Sequence, residues 1–133
     1  MQYLLALFGD ESGWEDVTPE EMTAGMAPWQ RFEDEIHAAG AKIESAGLQP
    51  SSTATTVKLG DAGEEPTVTD GPFAETKEQL GGLYLIDVES LDEALEWAKK
   101  VPMRAGSSVE VRPVMDYSQF GFVDPETRAE AAS

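Results

Sequence analysis

Asp70 is the residue of this chain whose type and position are best suited to acid–base chemistry or ligand binding. It is the first residue of a tight turn. In Asp70-Gly71-Pro72, Gly takes positive φ freely, Pro fixes φ, and Asp can bond nearby backbone N–H groups. One interpretation therefore makes Asp70 a structural turn residue. The other makes its carboxylate a catalytic base or a ligand anchor in a pocket, with a pKa raised by burial.

Four further residues are candidates for the walls of such a pocket. Glu75 and Lys77 follow the turn closely, and they form either a solvated ion pair or part of the pocket lining beside Asp70. Tyr84 lies on the apolar segment that follows, and Trp29 lies on a predicted helix. The predicted ligand-binding set is therefore Asp70, Glu75, Lys77, Tyr84 and Trp29, with Asp70 as the candidate catalytic group.

Other chemically capable side chains have a structural and a functional interpretation. His37 is the only histidine, four residues after Glu33, and it is either an exposed partner of Glu33 near a helix end or a general base. Asp10, Glu11 and Trp14 come just past the first predicted strand, where loops often form pocket rims. A solvated loop with Trp14 packed down is the simpler interpretation of these three.

Cysteine is absent from the chain, which excludes disulfides, thiolate nucleophiles and Cys-based zinc sites. With a single histidine, a dedicated transition-metal site is not expected. No phosphate-binding glycine loop, Ser-His-Asp order or nucleotide fingerprint is present either. The sequence therefore predicts no metal and no cofactor.

The charge balance is strongly acidic. The chain has 133 residues, with 9 basic and 26 acidic side chains and a formal net charge of −17. Such a chain repels nucleic-acid phosphates and anionic lipids, so neither is an expected partner. The longest apolar run, Tyr3 to Phe8, is far shorter than the roughly 20 residues needed to span a membrane. It also lacks the pattern of a signal peptide, so we expect a cytoplasmic protein.

Apolar spacing and capping signals predict an α+β chain. The first helix begins with the capping box at Thr18 to Glu21, is kinked or split at Pro28, and ends at Gly40. A second capping box at Ser90 begins the other helix, with an apolar stripe of Leu91, Ala94, Leu95, Ala98 and Val101.

Strands are predicted over residues 1–8, 41–46, 53–59, 67–69, 83–88 and 109–113. The third and fourth of these form a hairpin with an acidic tip. Good helix formers over residues 74–80 predict a short helical turn that Gly81-Gly82 ends.

The segment from Asp70 to Gly82, D-G-P-F-A-E-T-K-E-Q-L-G-G, closely resembles the signature of DGPF-domain proteins of the YCII-related superfamily. Flanking segments are also similar: L-Q-P-S-S-T-A-T-T-V from Leu48, L-D-E-A-L-E-W-A from Leu91, and V-E-V-R-P-V-M from Val109. The resemblance covers residues 1–115 and leaves 116–133 as a C-terminal tail. It implies a dimeric α+β barrel, and most members of the superfamily have no established activity.

The element order also argues for a dimer without the resemblance. Strand, helix, strands, helix, strand is the ferredoxin-like pattern, an antiparallel sheet with two main helices on one face. Along the central strand Leu83 and Leu85 point to one side, and Tyr84, Ile86 and Val88 point to the other, so the sheet face without helices carries apolar side chains. A patch of this kind is too large to leave open, and a second copy of the sheet would cover it.

Three functional hypotheses follow. The first is a homodimer that binds a small molecule in a cleft near the DGPF turn. The second is a cofactor-independent enzyme on the same scaffold, a lyase, isomerase or proton-transfer catalyst for a small organic acid or lactone. This hypothesis is a fold-level analogy. The third is an accessory protein of sigma-factor regulation, which the resemblance implies only by association.

Overall fold

A four-stranded antiparallel sheet, a separate two-stranded ribbon and two helices are the main elements of the part of the chain that the structure describes. The coordinates, a computed structural model, describe residues 1–126. The elements in chain order are β1 (Gln2–Gly9), α1 (Pro19–Ala38), β2 (Lys42–Gly47), β3 (Thr55–Lys58), β4 (Thr67–Asp70), β5 (Gln79–Asp87), α2 (Leu91–Lys100) and β6 (Ser108–Pro113). A short 3-10 turn at Tyr117–Phe120 follows. The predicted tail reaches residue 133, and its last seven residues, 127–133, lie outside the described part.

The main sheet has the strand order β2-β5-β1-β6, and every neighbouring pair is antiparallel. This order is consistent with the predicted ferredoxin-like fold. Leu5 lies at the centre, opposite Tyr84 on β5 and Val111 on β6. Both helices pack on the same side, because Phe32 of α1 and Trp97 of α2 belong to one core cluster with these inward side chains.

The sheet remains open at both sides within residues 1–126. β2 and β6 are its edges, and the chain by itself forms no closed barrel. The barrel that the sequence predicts would therefore need the sheet of a second copy.

Local capping signals were sufficient to place both ends of α1. The Thr18 hydroxyl accepts a hydrogen bond from the Glu21 N–H at 3.1 Å. At the other end Gly40 has φ of 67°, and the Ala41 N–H donates back to the Ile36 carbonyl at 3.3 Å. This pattern is a Schellman motif, which satisfies carbonyls that the helix leaves free. These two boundary predictions are confirmed.

Pro28 does not divide the first helix. α1 runs unbroken over 20 residues with Pro28 inside it. A proline removes one helical hydrogen bond and costs about 3 kcal/mol, which packing can offset. Phe32 and Ile36, which follow Pro28, are almost fully buried and supply that packing.

Gly81-Gly82 is part of β5 and does not end a helix. The predicted helical turn over residues 74–80 is wrong, because those residues form bends and β5 begins at Gln79. A Cβ on Gly82 would lie 3.0 Å from the Ala46 carbonyl oxygen and 3.4 Å from Leu7 Cδ1. The glycine is therefore needed where β5 passes close to β2 and a side chain of β1.

The predicted hairpin is confirmed as the two-stranded ribbon β3–β4, which is not part of the main sheet. Val57 pairs with Val68 across the ribbon, and both side chains are mostly exposed. Isolated two-stranded ribbons are marginally stable in water. This ribbon therefore presents apolar surface without extensive cover from its own chain.

Across residues 1–126, the two helices are too short or too polar to traverse a lipid bilayer.

Candidate functional site

A small cleft lies where the DGPF stretch meets the segment after β2. Its volume is about 290 Å³. The lining residues are mostly small or polar: Ser51, Ser52, Pro72, Ala74, Glu75, Thr76 and Gln79. We call it the Glu11 cleft, because Glu11 joins its two sides.

Glu11 lies in the loop after β1 and forms hydrogen bonds to residues on both sides of the cleft. Its carboxylate accepts hydrogen bonds from the Ser51 N–H at 2.9 Å and from the Ser51 hydroxyl at 2.6 Å. Its own N–H donates to Gln79 Oε1 at 3.0 Å. A half-buried carboxylate with two donors is fixed in place, and it holds the walls together.

The DGPF turn is fixed from the side of the ribbon. Gly71 adopts φ of 100°, a conformation that favours glycine. Its N–H donates to the Ala54 carbonyl and its carbonyl accepts from the Thr56 hydroxyl, both at 2.7 Å. These two hydrogen bonds hold the backbone just before Pro72, which lines the cleft.

Gln79 orders the opposite wall. Its side-chain amide donates to the Thr76 carbonyl while its oxygen accepts from the Glu11 N–H. The Thr76 hydroxyl in turn donates to the Glu78 carbonyl at 2.6 Å. The cleft is thus lined by hydroxyls, amides and the Glu75 carboxylate, which can donate to and accept from a small polar molecule.

Charged groups gather beside this cleft at the end of β1. The Ser12 N–H donates to the Asp10 carboxylate at 2.8 Å. This bond and a bond from the Ser12 side chain, together with the positive charges of Lys77 and Arg104, hold the pKa of Asp10 below its ordinary value. Asp10 is therefore suited to remain ionised and is poorly suited to act as a general base near neutral pH.

The structure separates the five residues that the sequence grouped together. Glu75 lines the cleft, and Lys77 lies close enough to influence Asp10. Asp70 is exposed at the end of β4 and is not among the lining residues of the cleft. Tyr84 and Trp29 lie on the helix side of the sheet, where both pack edge-on against Phe32. Ligand binding by any of the five stays a prediction.

Tyr84 takes part in a polar network of its own. Its hydroxyl donates to Glu33 Oε1 at 2.6 Å, and Lys42 Nζ donates to Glu33 Oε2 at 2.7 Å. Burial alone would raise the pKa of Glu33, but the hydrogen bonds from Lys42 and Tyr84 outweigh it and the pKa lies below its ordinary value. Burial and the neighbouring Glu33 raise the pKa of Tyr84 well above that of a free tyrosine.

His37 lies exposed in the last turn of α1. Glu33, its expected partner, instead binds Tyr84 and Lys42. Within residues 1–126, no three His, Asp or Glu side chains come together in a group that could hold a metal ion.

Ser51 and Gln79 were not identified from the sequence. Ser51 stands in a polar turn and Gln79 in a stretch expected to be helical, so neither had a distinguishing local pattern. The place of Glu11 after β1 suggests a pocket rim, but a solvated loop is the simpler interpretation of the sequence alone. The contacts between these residues span 40 and 68 positions of sequence, which local patterns cannot reveal.

Comparison with known proteins places the chain in a family. Residues 1–118 match the YCII-related domain. An uncharacterized protein of Rhizobium meliloti (strain 1021) is 40% identical over 122 residues, which cover 88% of this chain and 94% of that protein. The narrower DGPF grouping stays a prediction. The chain belongs to the YCII-related domain family.

Proposed function

We propose that this protein is a homodimer that binds a small, uncharged, hydroxyl-rich molecule in the Glu11 cleft. The observation that carries the binding proposal is the arrangement of Glu11, Ser51 and Gln79, whose mutual hydrogen bonds hold two chain segments around one opening. A binding site that exists before the ligand arrives loses less entropy on binding.

The ligand class follows from the lining of the cleft. Ser51, Ser52, Thr76 and Gln79 can each donate and accept hydrogen bonds. Glu75 adds a carboxylate, and Glu11 adds another behind Ser51. The two carboxylates repel an anionic ligand. Hydroxyl groups of a ligand, in contrast, could hydrogen-bond to both the oxygen and the nitrogen atoms of the cleft lining. The volume of about 290 Å³ suits a molecule at the small end of the usual range, which begins at about 300 Å³.

The dimer proposal is supported by the sheet face that points away from the helices. At its centre, Leu4 lies opposite Leu85 and Ala6 lies opposite Leu83. The three leucines are only half-buried. The edge strand β6 adds the ion pair of Arg112 and Glu110 to the same face. An apolar centre with charged edges is typical of a protein interface, and we propose that the same face of a second copy covers it.

The ribbon β3–β4 supports the same proposal. Val57 and Val68 are 56% and 66% exposed, and Phe73 beyond the ribbon is 89% exposed. Apolar side chains of this size on an ordered ribbon would be covered on association. Contact of the ribbon with a second copy would also bring the DGPF turn close to the interface.

Binding can be tested with pairs of compounds that differ in charge. Glucose and gluconate, together with glycerol and glycerate, are titrated into the ¹⁵N-labelled protein while backbone and side-chain amide resonances are followed by NMR. We expect the neutral compounds to shift the amide resonances of Thr76 and Gln79, and the carboxylates to bind at least several-fold more weakly.

Two variants of neighbouring acids provide the control. Glu75→Gln removes a carboxylate from the lining, whereas Glu78→Gln removes one that is not among the lining residues. The first change should narrow the preference for glucose over gluconate, and the second should leave it unchanged. Equal effects of the two variants, or an absence of shifts at Thr76 and Gln79, would contradict the proposed site.

The enzymatic alternative is less well supported. Asp70, the candidate catalytic group, is exposed on β4, and Asp10 has a pKa that keeps it ionised. We therefore propose binding as the function and do not assign a proton-transfer role. A cytoplasmic location stays a prediction.

A further inference from the structure

A second cleft lies on the helix side of the sheet, between α2 and the edge strand β6. Its volume is about 400 Å³, within the range of about 300–1,000 Å³ common for small-molecule sites. Leu95 and Ala98 of α2 form one wall, and Val109 and Val111 of β6 form the other. We call it the α2–β6 cleft.

The cleft exists because α2 does not fully cover the edge of the sheet. Val109 and Val111 occupy the same face as the fully buried Leu5, yet both are only half-buried. α2 has ten residues and turns Trp97 and Ala94 into the core, which leaves Leu95 37% exposed. The apolar side chains at this edge are thus partly open to solvent.

The polar residues around this cleft have an unusual charge for this protein. Lys99 and Arg104 line it, and the lining set contains no acidic residue among the described positions. The whole chain carries 26 acidic and 9 basic residues. Among the described residues, the lining thus carries two cations and no carboxylate, the reverse of the chain's average charge, and this favours an anion although Glu96 already pairs with Lys99.

Arg104 is the better anchor of the two cations. Its guanidinium lies 5.2 Å from the centroid of the Trp14 ring, which orders the side chain. Its charge also influences Asp10, although no ion pair between the two is formed. Lys99 is 69% exposed and already paired with Glu96 at 2.9 Å. Arg104 can thus offer its donors to a carboxylate at the mouth of an apolar cleft.

We propose that the α2–β6 cleft is a binding site for an amphipathic organic anion, a carboxylate with an aliphatic or aromatic body of moderate size. The body contacts Leu95, Val109 and Val111, and the carboxylate binds Arg104. This site is distinct from the Glu11 cleft, whose lining favours an uncharged ligand.

The test uses octanoate and 1-octanol, which share a chain and differ in the charged group. Isothermal titration calorimetry of the full chain should show octanoate binding about tenfold more tightly than 1-octanol, because a charge-assisted hydrogen bond is added. Arg104→Gln should weaken octanoate binding about tenfold and leave 1-octanol unchanged. Leu95→Ala should weaken both.

Arg31→Gln is the matched control. It makes the same change of type and charge, but Arg31 lies exposed on α1 and lines neither cleft. It should leave octanoate binding unchanged, as should Glu75→Gln in the other cleft. Thermal melting checks that each variant is folded. Equal affinity for octanoate and 1-octanol, equal effects of the two arginine variants, or no octanoate binding at millimolar concentration would overturn the proposal.

Discussion

Glu33, Tyr84 and Lys42 show how single residues connect the first helix to the sheet. Glu33 comes from α1, Lys42 from β2 and Tyr84 from β5, and the carboxylate receives a hydrogen bond on each oxygen. Tyr84 is 5% exposed, so its hydroxyl depends on Glu33 as a partner. Ligand binding by Tyr84 stays a prediction, and its contacts in the structure stabilise the packing of helix on sheet.

Removing the Tyr84 hydroxyl should destabilise the fold measurably. Tyr84→Phe deletes one hydrogen bond to an ionised group, and we expect a loss of about 1–2 kcal/mol in the free energy of unfolding. Urea denaturation at neutral pH measures it. Tyr117→Phe is the control, because Tyr117 is 60% exposed. Equal stability of the two variants would show that the Glu33 bond contributes nothing.

The ionised state of Glu33 should make this contribution depend on pH. Its folded-state pKa lies below the ordinary value of 4.5, so the stabilisation is present above that value and is lost as the pH falls through the folded-state pKa. The stability difference between the native chain and Glu33→Gln should therefore be largest near neutral pH and shrink on acidification. Urea titrations at neutral pH and at about pH 3 test this. A difference that does not change with pH would contradict it.

At the scale of the elements, local capping signals predict the helix ends correctly, whereas contacts between distant segments leave no local signal. Thr18, Gly40 and Ser90 mark helix ends through bonds to residues within five positions, and all three act as predicted. The prediction that Gly81-Gly82 ends a helix is wrong. A glycine pair is found at helix ends, but it also occurs in strands where another strand approaches closely. Only the approach of Ala46, more than thirty residues earlier, decides between these outcomes.

The two glycines of β5 provide a matched test of that close approach. Gly82→Ala would place a Cβ 3.0 Å from a backbone oxygen of β2, so we expect a loss of about 1–3 kcal/mol in stability. At Gly81 the nearest atom would lie at 4.0 Å, and Gly81→Ala should be neutral or slightly stabilising. Thermal denaturation of both variants measures the difference. Similar melting temperatures would contradict the assigned role of Gly82.

The second helix offers a similar correction. The predicted apolar stripe included Leu91, which is 48% exposed, and omitted Trp97, which is 8% exposed and packs edge-on against Phe32. We expect Trp97→Ala to cost about 3–5 kcal/mol and Leu91→Ala less than about 1 kcal/mol. Chemical denaturation measures both. A larger loss of stability for Leu91→Ala than for Trp97→Ala would contradict the assignment of the Trp97 face of α2 to the core.

Only the part of the candidate site that depends on local turn chemistry could be predicted from the sequence. Glu75 lies in the DGPF stretch, whose turn chemistry is visible in the sequence, and it does line a cleft. Ser51 and Gln79 become neighbours only when β1 and β5 pair and Glu11 bonds to both. Spatial proximity of this kind is a property of the folded sheet and leaves no local pattern.

At the scale of the whole molecule, one end of the sheet concentrates the features suited to binding. The loop after β1 carries Glu11 to one cleft and Trp14 to Arg104, which lines the other. The sheet face away from the helices carries the Leu4–Leu85 and Ala6–Leu83 pairs that we assign to the dimer. The α2–β6 cleft lies on the helix side of the sheet, so anion binding there and association through the leucine face can be altered separately.

The solution mass of the protein shows directly whether a second copy covers the open sheet face. Multi-angle light scattering of the native chain should give twice its 14.4 kDa at micromolar concentration. Leu85→Glu, at the centre of that face, should give a folded monomer. Leu91→Glu, the same change on an exposed position of α2, should remain a dimer. A native chain that stays at 14.4 kDa across concentrations, or a Leu85→Glu variant that still dimerises, would contradict the account.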